Sequence, residues 1–542
     1  MIKKITVISL TVCLVLSTLV GCGQRKDVTA ESNTSYSCCG AAPMTNGATM
    51  MSAASSGRTQ SAYQYYEVEE FCVEDFNTEE YASVDENGFK DVSVSPLSTF
   101  SADVDTASYS NVRRMLSDGV ALDNIPSGAV RTEEMVNYFS YNYQGPDGDA
   151  PFGVNASISE CPWNTEHELL HLGLQTEAID FSEAPDSNIV FLIDVSGSMY
   201  DSNKLPLLKE SFALLIDNLT KKDRVSIVTY ASGVDCVIDG VHGDEKKEIL
   251  DALDSLTAGG STNGEGGIEL AYKTAKKNFI KGGNNRVILA TDGDFNVGKA
   301  SESELSDLIK EKSKDGIFLS VLGFGMGNYS DTRMETLADD GNGNYGYIDS
   351  ISEAKKILVD ELGATMVTVA KDVKLQVEFN PNFVSEYRLV GYENRVMAAE
   401  DFADDTKDAG EIGAGHSVTV LYEIVPKNEE NSGSDLKYQE NTLTDEALNS
   451  NEWLTLSVRY KEPDEDESKL LEYPIGANVY TDTPSEDFRF AAAVAEFSMI
   501  LKKSDYVGDG NIDHVADVLD ELDSKDDLRK EFKRIVNIAA LK

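Results

Sequence analysis

The chain has 542 residues and sets 47 Lys and Arg against 94 Asp and Glu, a formal net charge of −47. At about 150 residues per domain there is room for three or four units, and 41% hydrophobic residues can supply their cores. The balance argues against nucleic-acid binding and against adhesion to an anionic membrane by charge alone, since both need clustered Lys and Arg.

The N-terminus reads as an export signal over residues 1–21. Lys3 and Lys4 precede an uncharged, mostly apolar run at 5–20, shorter than the ~20 residues of a spanning helix. Leu19, Val20, Gly21 and Cys22 form a lipobox pattern, in which Cys22 is diacylated and becomes the new N-terminus. Lipid on Cys22 is then the expected membrane anchor. Cys13 leaves with the signal, and Cys38, Cys39, Cys72, Cys161 and Cys236 remain. None sits in a paired CxxC with metal spacing, and no disulfide framework is expected. Residues 22–95 read as a low-complexity tether. Its Ser-, Thr-, Ala- and Gly-rich part, ~45 residues to about position 66, gives a reach near 35–40 Å.

Order is expected from Pro96, with a small N-terminal unit over 96–150. Val112, Met115 and Leu116 suit one short helix, and Met135, Val136, Tyr138 and Phe139 another. Residues 154–158 and 170–174 alternate like strands around a turn at Pro162, Trp163 and Asn164. Between 187 and 365 strands and helices alternate. The continuous apolar run at 188–194 suits a strand buried on both faces. A helix follows through Leu208, Phe212, Leu215 and Leu219, then a strand at 224–230. A helix through Ile268, Ala271, Ala275 and Phe279 precedes a strand at 286–291. Ser301 and Glu304 make a capping box, followed by a strand at 317–324 and a last helix at 352–362. This is a doubly wound α/β domain. Over 366–483 the period returns to two, as in Val373, Leu375, Val377 and Phe379, which predicts an antiparallel sandwich. The earlier strands at 151–183 lack partners of their own, so they are expected to join that sandwich, with the α/β domain inserted into it. Residues 484–542 form a helical C-terminal segment through Phe490, Val494, Phe497 and Leu501, continuing to Phe532 and Ile535.

Three polar elements fall at one edge of the α/β sheet. The first strand ends in Asp194-Val195-Ser196-Gly197-Ser198, a DxSxS pattern. Gly259-Gly260-Ser261-Thr262-Asn263 precedes a helix, and Thr291-Asp292-Gly293 closes another apolar strand. In doubly wound sheets ligands bind beyond the C-terminal strand ends, where these elements meet.

With these motifs the chain resembles a von Willebrand factor type A (VWA) domain, a Rossmann-like fold, with a metal-ion-dependent adhesion site. The resemblance implies a metal set of Asp194, Ser196, Ser198, Thr262 and Asp292. The three hydroxyls would touch the ion, with the two carboxylates acting directly or through water. Such hard oxygen donors suit Mg²⁺, with Mn²⁺ or Ca²⁺ as alternatives, rather than zinc. Neutral hydroxyls leave the ion electrophilic, so a protein partner's carboxylate could take its open position. The segment 96–109, Arg131 to Phe139 and the helical end after Asp487 further resemble bacterial lipoproteins of the YfbK type. Asp103 and Asp105 belong to that segment and read as structural.

These readings predict an exported, lipid-anchored, non-enzymatic binding protein facing outward or the periplasm, with no nucleic acid among its partners. A second reading is an envelope assembly or chaperone-like subunit using the same site within a complex. A third is a zinc protease, from the literal HExxH of His167-Glu168-Leu169-Leu170-His171. That chemistry needs a helix. Alternating Leu170, Leu172 and Leu174 predict a strand, which would separate the histidines by roughly 13 Å, too far for two Zn–N bonds of about 2.1 Å.

Overall fold

The computed structural model describes residues 79–541, apart from 84, 104, 149, 179–183, 294–301, 328, 362–366, 408, 429–442, 464, 466 and 524. The export signal, Cys22, most of the expected tether and Ser301 lie outside the described residues. Folded contacts begin earlier than the expected boundary at 95. Glu80 bridges Ser330, and strand β1 (Lys90–Asp91) pairs with a strand of the sandwich. The described residues between 79 and 95 thus belong to the folded body rather than to the tether expected over 22–95. The signal missed here is a two-residue edge strand, too short to show a period.

The N-terminal region is not a separate unit. Strand β2 (Leu97–Ser101) enters the sandwich, while helices α1 (Ala107–Ser117) and α2 (Thr132–Asn137) pack elsewhere. Strands β3 (Phe152–Cys161) and β4 (Asn164–Thr176) form an antiparallel hairpin turning at Pro162 and Trp163. They join the sandwich as expected.

Next comes the inserted α/β domain, with strands β5 (Ser187–Asp194), β6 (Arg224–Tyr230), β7 (Val234–His242), β8 (Asn284–Thr291), β9 (Phe318–Phe324) and β10 (Tyr345–Ile348). Their spatial order is β10-β9-β8-β5-β6-β7, all parallel except edge strand β7. Helices α3 (Leu205–Asn218), α4 (Lys246–Asp254), α5 (Gly264–Lys277), α6 (Glu302–Lys314), α7 (Asp331–Asp340) and α8 (Ile351–Lys355) complete it. Every residue of β5 and β8 is buried, as the unbroken apolar runs require of central parallel strands. Two cores flank the sheet, one around Phe191, Phe212 and Ile227, the other around Leu192, Tyr230 and Ile268. Elements β7, α4, α7 and β10 lay outside the sequence reading, and Phe279 falls beyond its helix as an exposed residue.

The chain then returns to the sandwich with β11 (Thr368–Phe379), β12 (Val384–Val390), β13 (Val396–Met397), β14 (Ile412–Gly413), β15 (Ser417–Pro426), β16 (Glu452–Lys461) and β17 (Ser468–Gly476). One sheet runs β1-β12-β15-β4-β3 and the other β13-β2-β11-β16-β17. Their facing side chains, among them Phe100, Leu172, Leu375 and Tyr422, share one core. The α/β domain is thus inserted between β4 and β11 of one sandwich.

Helices α9 (Glu486–Lys502), α10 (Ile512–Glu521) and α11 (Asp527–Ala540) close the chain. They are not a tail but pack with α1 and α2 around a single core. Aromatic rings carry this junction: Phe139 lies 4.9 Å from Phe490 and 5.5 Å from Phe532, centroid to centroid. Such edge-on pairs contribute about 0.5–1.5 kcal/mol each beyond the area they bury. Among the described residues no helix is long and apolar enough to cross a membrane.

Candidate metal centre

Strands β5 and β8 are neighbours, with Ile193 opposite Ala290. Their ends therefore deliver Asp194 and Asp292 side by side, both fully buried. The DxSxS turn folds back on its first residue. Ser196 N donates to Asp194 Oδ1 at 2.8 Å, and the Ser196 and Ser198 hydroxyls sit 3.0 Å apart. Ser196 is buried, and Ser198 is half-buried in the turn Gly197–Tyr200. The glycine-rich loop is pinned against this turn from both sides: Gly197 N donates to Gly260 O at 3.0 Å and Gly259 N to Val195 O at 2.8 Å. Gly260 has φ +89°, where a side chain would be strained and would also meet Ser232. The loop then brings half-buried Thr262 to the same edge before Asn263 caps α5. The structure places all five sequence-predicted residues on the three segments of one sheet edge.

Electrostatics favour a cation here. Burial pushes the Asp194 carboxyl up to about 6, partly offset by hydrogen bonds from Ser196, while the charge of Asp292 adds to the rise. A positive ion beside both carboxylates would remove that penalty. One cation already has a place in the site. Lys204 Nζ donates to Asp292 Oδ2 at 2.9 Å, and its side chain is almost wholly buried. Lys204 precedes α3, and its stem lies against Gly325 (φ +75°), where a Cβ would come within 2.3 Å of the lysine Cε. Sequence reading missed this lysine, since a Lys before Leu-Pro resembles an ordinary solvated helix start. The donor set of hydroxyls, carboxylates and a pinned loop fits a hard divalent ion.

The other candidates find different roles. His167 and His171 lie on strand β4, as expected, and each has its own partner. His167 Nδ1 meets Glu423 Oε1 at 2.6 Å, and His171 Nε2 meets the Tyr143 hydroxyl at 2.8 Å. Among the described residues no cluster of three or more His, Cys, Asp or Glu is placed to hold a metal ion. The hydroxyl-rich adhesion-site pattern is of a different kind. Asp105 accepts from Tyr345 N at 2.9 Å, and Arg395 pairs with both Asp103 and Asp105. That segment braces the sandwich against the α/β domain. Of the cysteines, Cys161 and Cys236 are described, and both are free.

Comparison with known proteins agrees with this architecture. The family model described as "von Willebrand factor type A domain" matches residues 188–359, "Uncharacterized protein YfbK, C-terminal" matches 364–541, and "von Willebrand factor" matches 75–171. Protein YfbK of Escherichia coli (strain K12) is 42% identical over 471 residues, covering 85% of this chain and 81% of that protein. Human inter-alpha-trypsin inhibitor heavy chain H2 is 27% identical over 191 residues, 32% of this chain and 20% of its own length. Among solved structures, a von Willebrand factor type A protein from Catenulispora acidiphila aligns over 74% of this chain and 91% of its own, with a TM-score of 0.41 and 16% identity. The α/β insert is a VWA domain. VWA domains suggest protein–protein interaction and commonly hold a divalent cation at a metal-ion-dependent adhesion site.

Proposed function

The chain belongs to the YfbK family of VWA-domain proteins, and from that premise we propose that it is an exported, lipid-anchored, non-catalytic binding protein that captures an acidic group of a protein partner through a divalent cation. The observation that carries the reading is the convergence of the Ser196 and Ser198 hydroxyls, 3.0 Å apart, beside two buried carboxylates, one of which already holds an ammonium. Ser196, Ser198 and Thr262 would hold the ion, with Asp194 and Asp292 behind them, and Mg²⁺ is the ion this donor set suits best. The ion would supply a Lewis-acidic position for an incoming carboxylate. The protein's part is to fix the hydroxyls on a pinned turn, so little ordering is left for binding. It also keeps the two carboxylates dry. With a net charge of −47, a partner's acidic side chain meets net repulsion from the chain as a whole, which such an ion would offset locally. Lipid on Cys22, followed by the low-complexity stretch, would hold the folded body near the envelope membrane and facing outward.

Titration of the purified chain with Mg²⁺ and Mn²⁺ by calorimetry tests the site directly. One ion per chain is expected, lost in Asp194→Ala and Ser196→Ala. Equal binding by those variants would sink the assignment. Globomycin-sensitive processing and palmitate labelling that vanishes in Cys22→Ser test the anchor.

A further inference from the structure

We infer that the cavity between the VWA domain and the sandwich is a binding site for a small zwitterion, a free amino acid or dipeptide, whose carboxylate is taken by Arg286. The site is independent of the metal centre. Arg286 stands near the start of β8, and Asp292 lies just beyond the other end of that strand. The cavity measures about 370 Å³ and is lined on the VWA side by Arg286, Lys310, Asp340 and Asn342, and on the sandwich side by Arg395 and Glu411. That volume is at the lower end of small-ligand sites, and such sites favour domain junctions.

Arg286 differs from the other buried arginines. Arg113, Arg131 and Arg388 each form at least one ion pair with a carboxylate. Arg286 is 3% exposed yet forms no ion pair among the described residues. Its Nη1 donates to Ser320 Oγ at 2.6 Å, its guanidinium stacks 5.7 Å over Phe318, and its Nε has no partner. Burial pulls it down to about 10 against the smaller opposing influence of the Glu411 charge, with which it forms no ion pair. Buried polar groups left open in this way point to a ligand or an ordered ion.

The rest of the lining selects the ligand. Lys310 and Arg395 are already paired, with Asp340 at 2.9 Å and Asp339 at 2.7 Å. Asp340 keeps a second oxygen, Oδ2, buried without a partner. Together with Asp103, Asp339 and Glu411 the carboxylates outnumber the three cations of the lining. A polyanion such as a nucleotide would be repelled. A ligand with one carboxylate and one ammonium satisfies both kinds of open group, the guanidinium and the Asp340 oxygen.

Calorimetry on the full chain with a panel of free L-amino acids and dialanine tests this. Wild type is expected to take up one zwitterion per chain, with binding weakened at least about tenfold in Arg286→Gln. Ala409→Trp, which fills the cavity from its half-buried sandwich wall, should weaken it equally. Mg²⁺ binding serves as the folding control. If Arg286→Gln does not fold, Ala409→Trp and Asp340→Asn decide the matter. The inference fails if wild type shows no saturable uptake to about 10 mM, if the folded variants bind undiminished, or if acetate alone matches the best zwitterion.

Discussion

Lys204 places its ammonium on the Asp292 carboxylate, 2.9 Å away, with 6% of the lysine side chain exposed and none of the aspartate's. The pair joins the start of α3 to the end of β8 inside the candidate metal centre. It sets a built-in cation next to the position a divalent ion would take. Lys204→Met removes that neighbour. Mg²⁺ affinity should then rise by about tenfold, or ~1.4 kcal/mol, because a like charge no longer opposes the ion. Without metal the variant should be less stable than wild type, because the buried Asp292 carboxylate loses this ammonium. Mg²⁺ should therefore raise its melting temperature more than it raises that of wild type. Unchanged Mg²⁺ affinity would refute the competition.

Arg113 on α1 ties three parts of the molecule together. It donates to Asp349 and Glu353 at the last VWA helix at 2.6 and 2.7 Å, to Glu531 on α11 at 2.8 Å, and to the Tyr138 hydroxyl at 2.9 Å. Glu353 is fully buried and also accepts from Tyr138 at 2.6 Å. Arg113→Met takes from these carboxylates the cation they share, leaving Lys356 as the remaining positive charge near Glu353. Urea unfolding should report a loss of about 3–5 kcal/mol. A loss below about 1 kcal/mol would mean the network is surface-like in its energetics. The chain connection after α8 includes 362–366, outside the described residues. Arg113 is a visible route by which the last VWA helix is held to the helical unit.

What the sequence made legible follows from locality. The central runs of β5 and β8, Ile189 to Ile193 and Val287 to Ala290, are apolar because both faces are covered, so Asp194 at the end of one strand and Asp292 just past the other could be placed from the sequence. The return to alternation at Val373 likewise marked one-sided burial. Strand β7 escaped because its residues are half-buried on both sides and show no clean period. Strand β10 is only four residues long and follows the glycine-rich stretch Gly341-Asn342-Gly343-Asn344. The burial of Lys204 depends on Gly325, far along the chain, and the helical unit depends on Tyr109 meeting Phe532 at 6.2 Å. Neither leaves a local trace, because the partner that decides each is remote in sequence.

Glu423 on β15 collects three buried or half-buried donors. Arg388 Nη2 lies at 2.8 Å, Trp163 Nε1 at 3.1 Å and His167 Nδ1 at 2.6 Å. Both partners of the ion pair are almost fully buried. Glu423→Gln keeps the shape but leaves Arg388 without its counter-charge, and stability should fall by about 3–5 kcal/mol. His167→Ala, at a partly exposed position, removes the contacts with Glu423 and with Asn164, at 3.1 Å, but leaves the Arg388–Glu423 ion pair in place, and should cost less, about 1–2 kcal/mol. The order of these two losses in urea titration is the measurement. A larger loss for His167→Ala would show that the histidine has a role beyond this network.

His171 supplies a pH dependence whose sign is fixed by its burial. Burial pulls its imidazole down from 6.5 to about 4, with the charge of Asp487 as a smaller opposing influence. The unfolded chain therefore binds a proton between pH 6.5 and 4 that the folded chain refuses. Stability is fully present above pH 6.5, falls as pH drops toward about 4, and changes no further below that. The whole effect amounts to roughly 3 kcal/mol. Several carboxylates act in the opposite sense. Burial raises Glu133, Asp331 and Asp339 to about 7 and Glu335 to about 8, so their contribution is present at low pH and fades as pH rises through those values. A stability curve of wild type alone mixes the two. Subtracting the curve of His171→Gln, which loses the titrating group but keeps a donor and acceptor near Tyr143, isolates the histidine. The wild-type advantage should shrink steadily between pH 6.5 and 4. A difference that stays flat within about 0.5 kcal/mol would mean that His171 titrates as if exposed.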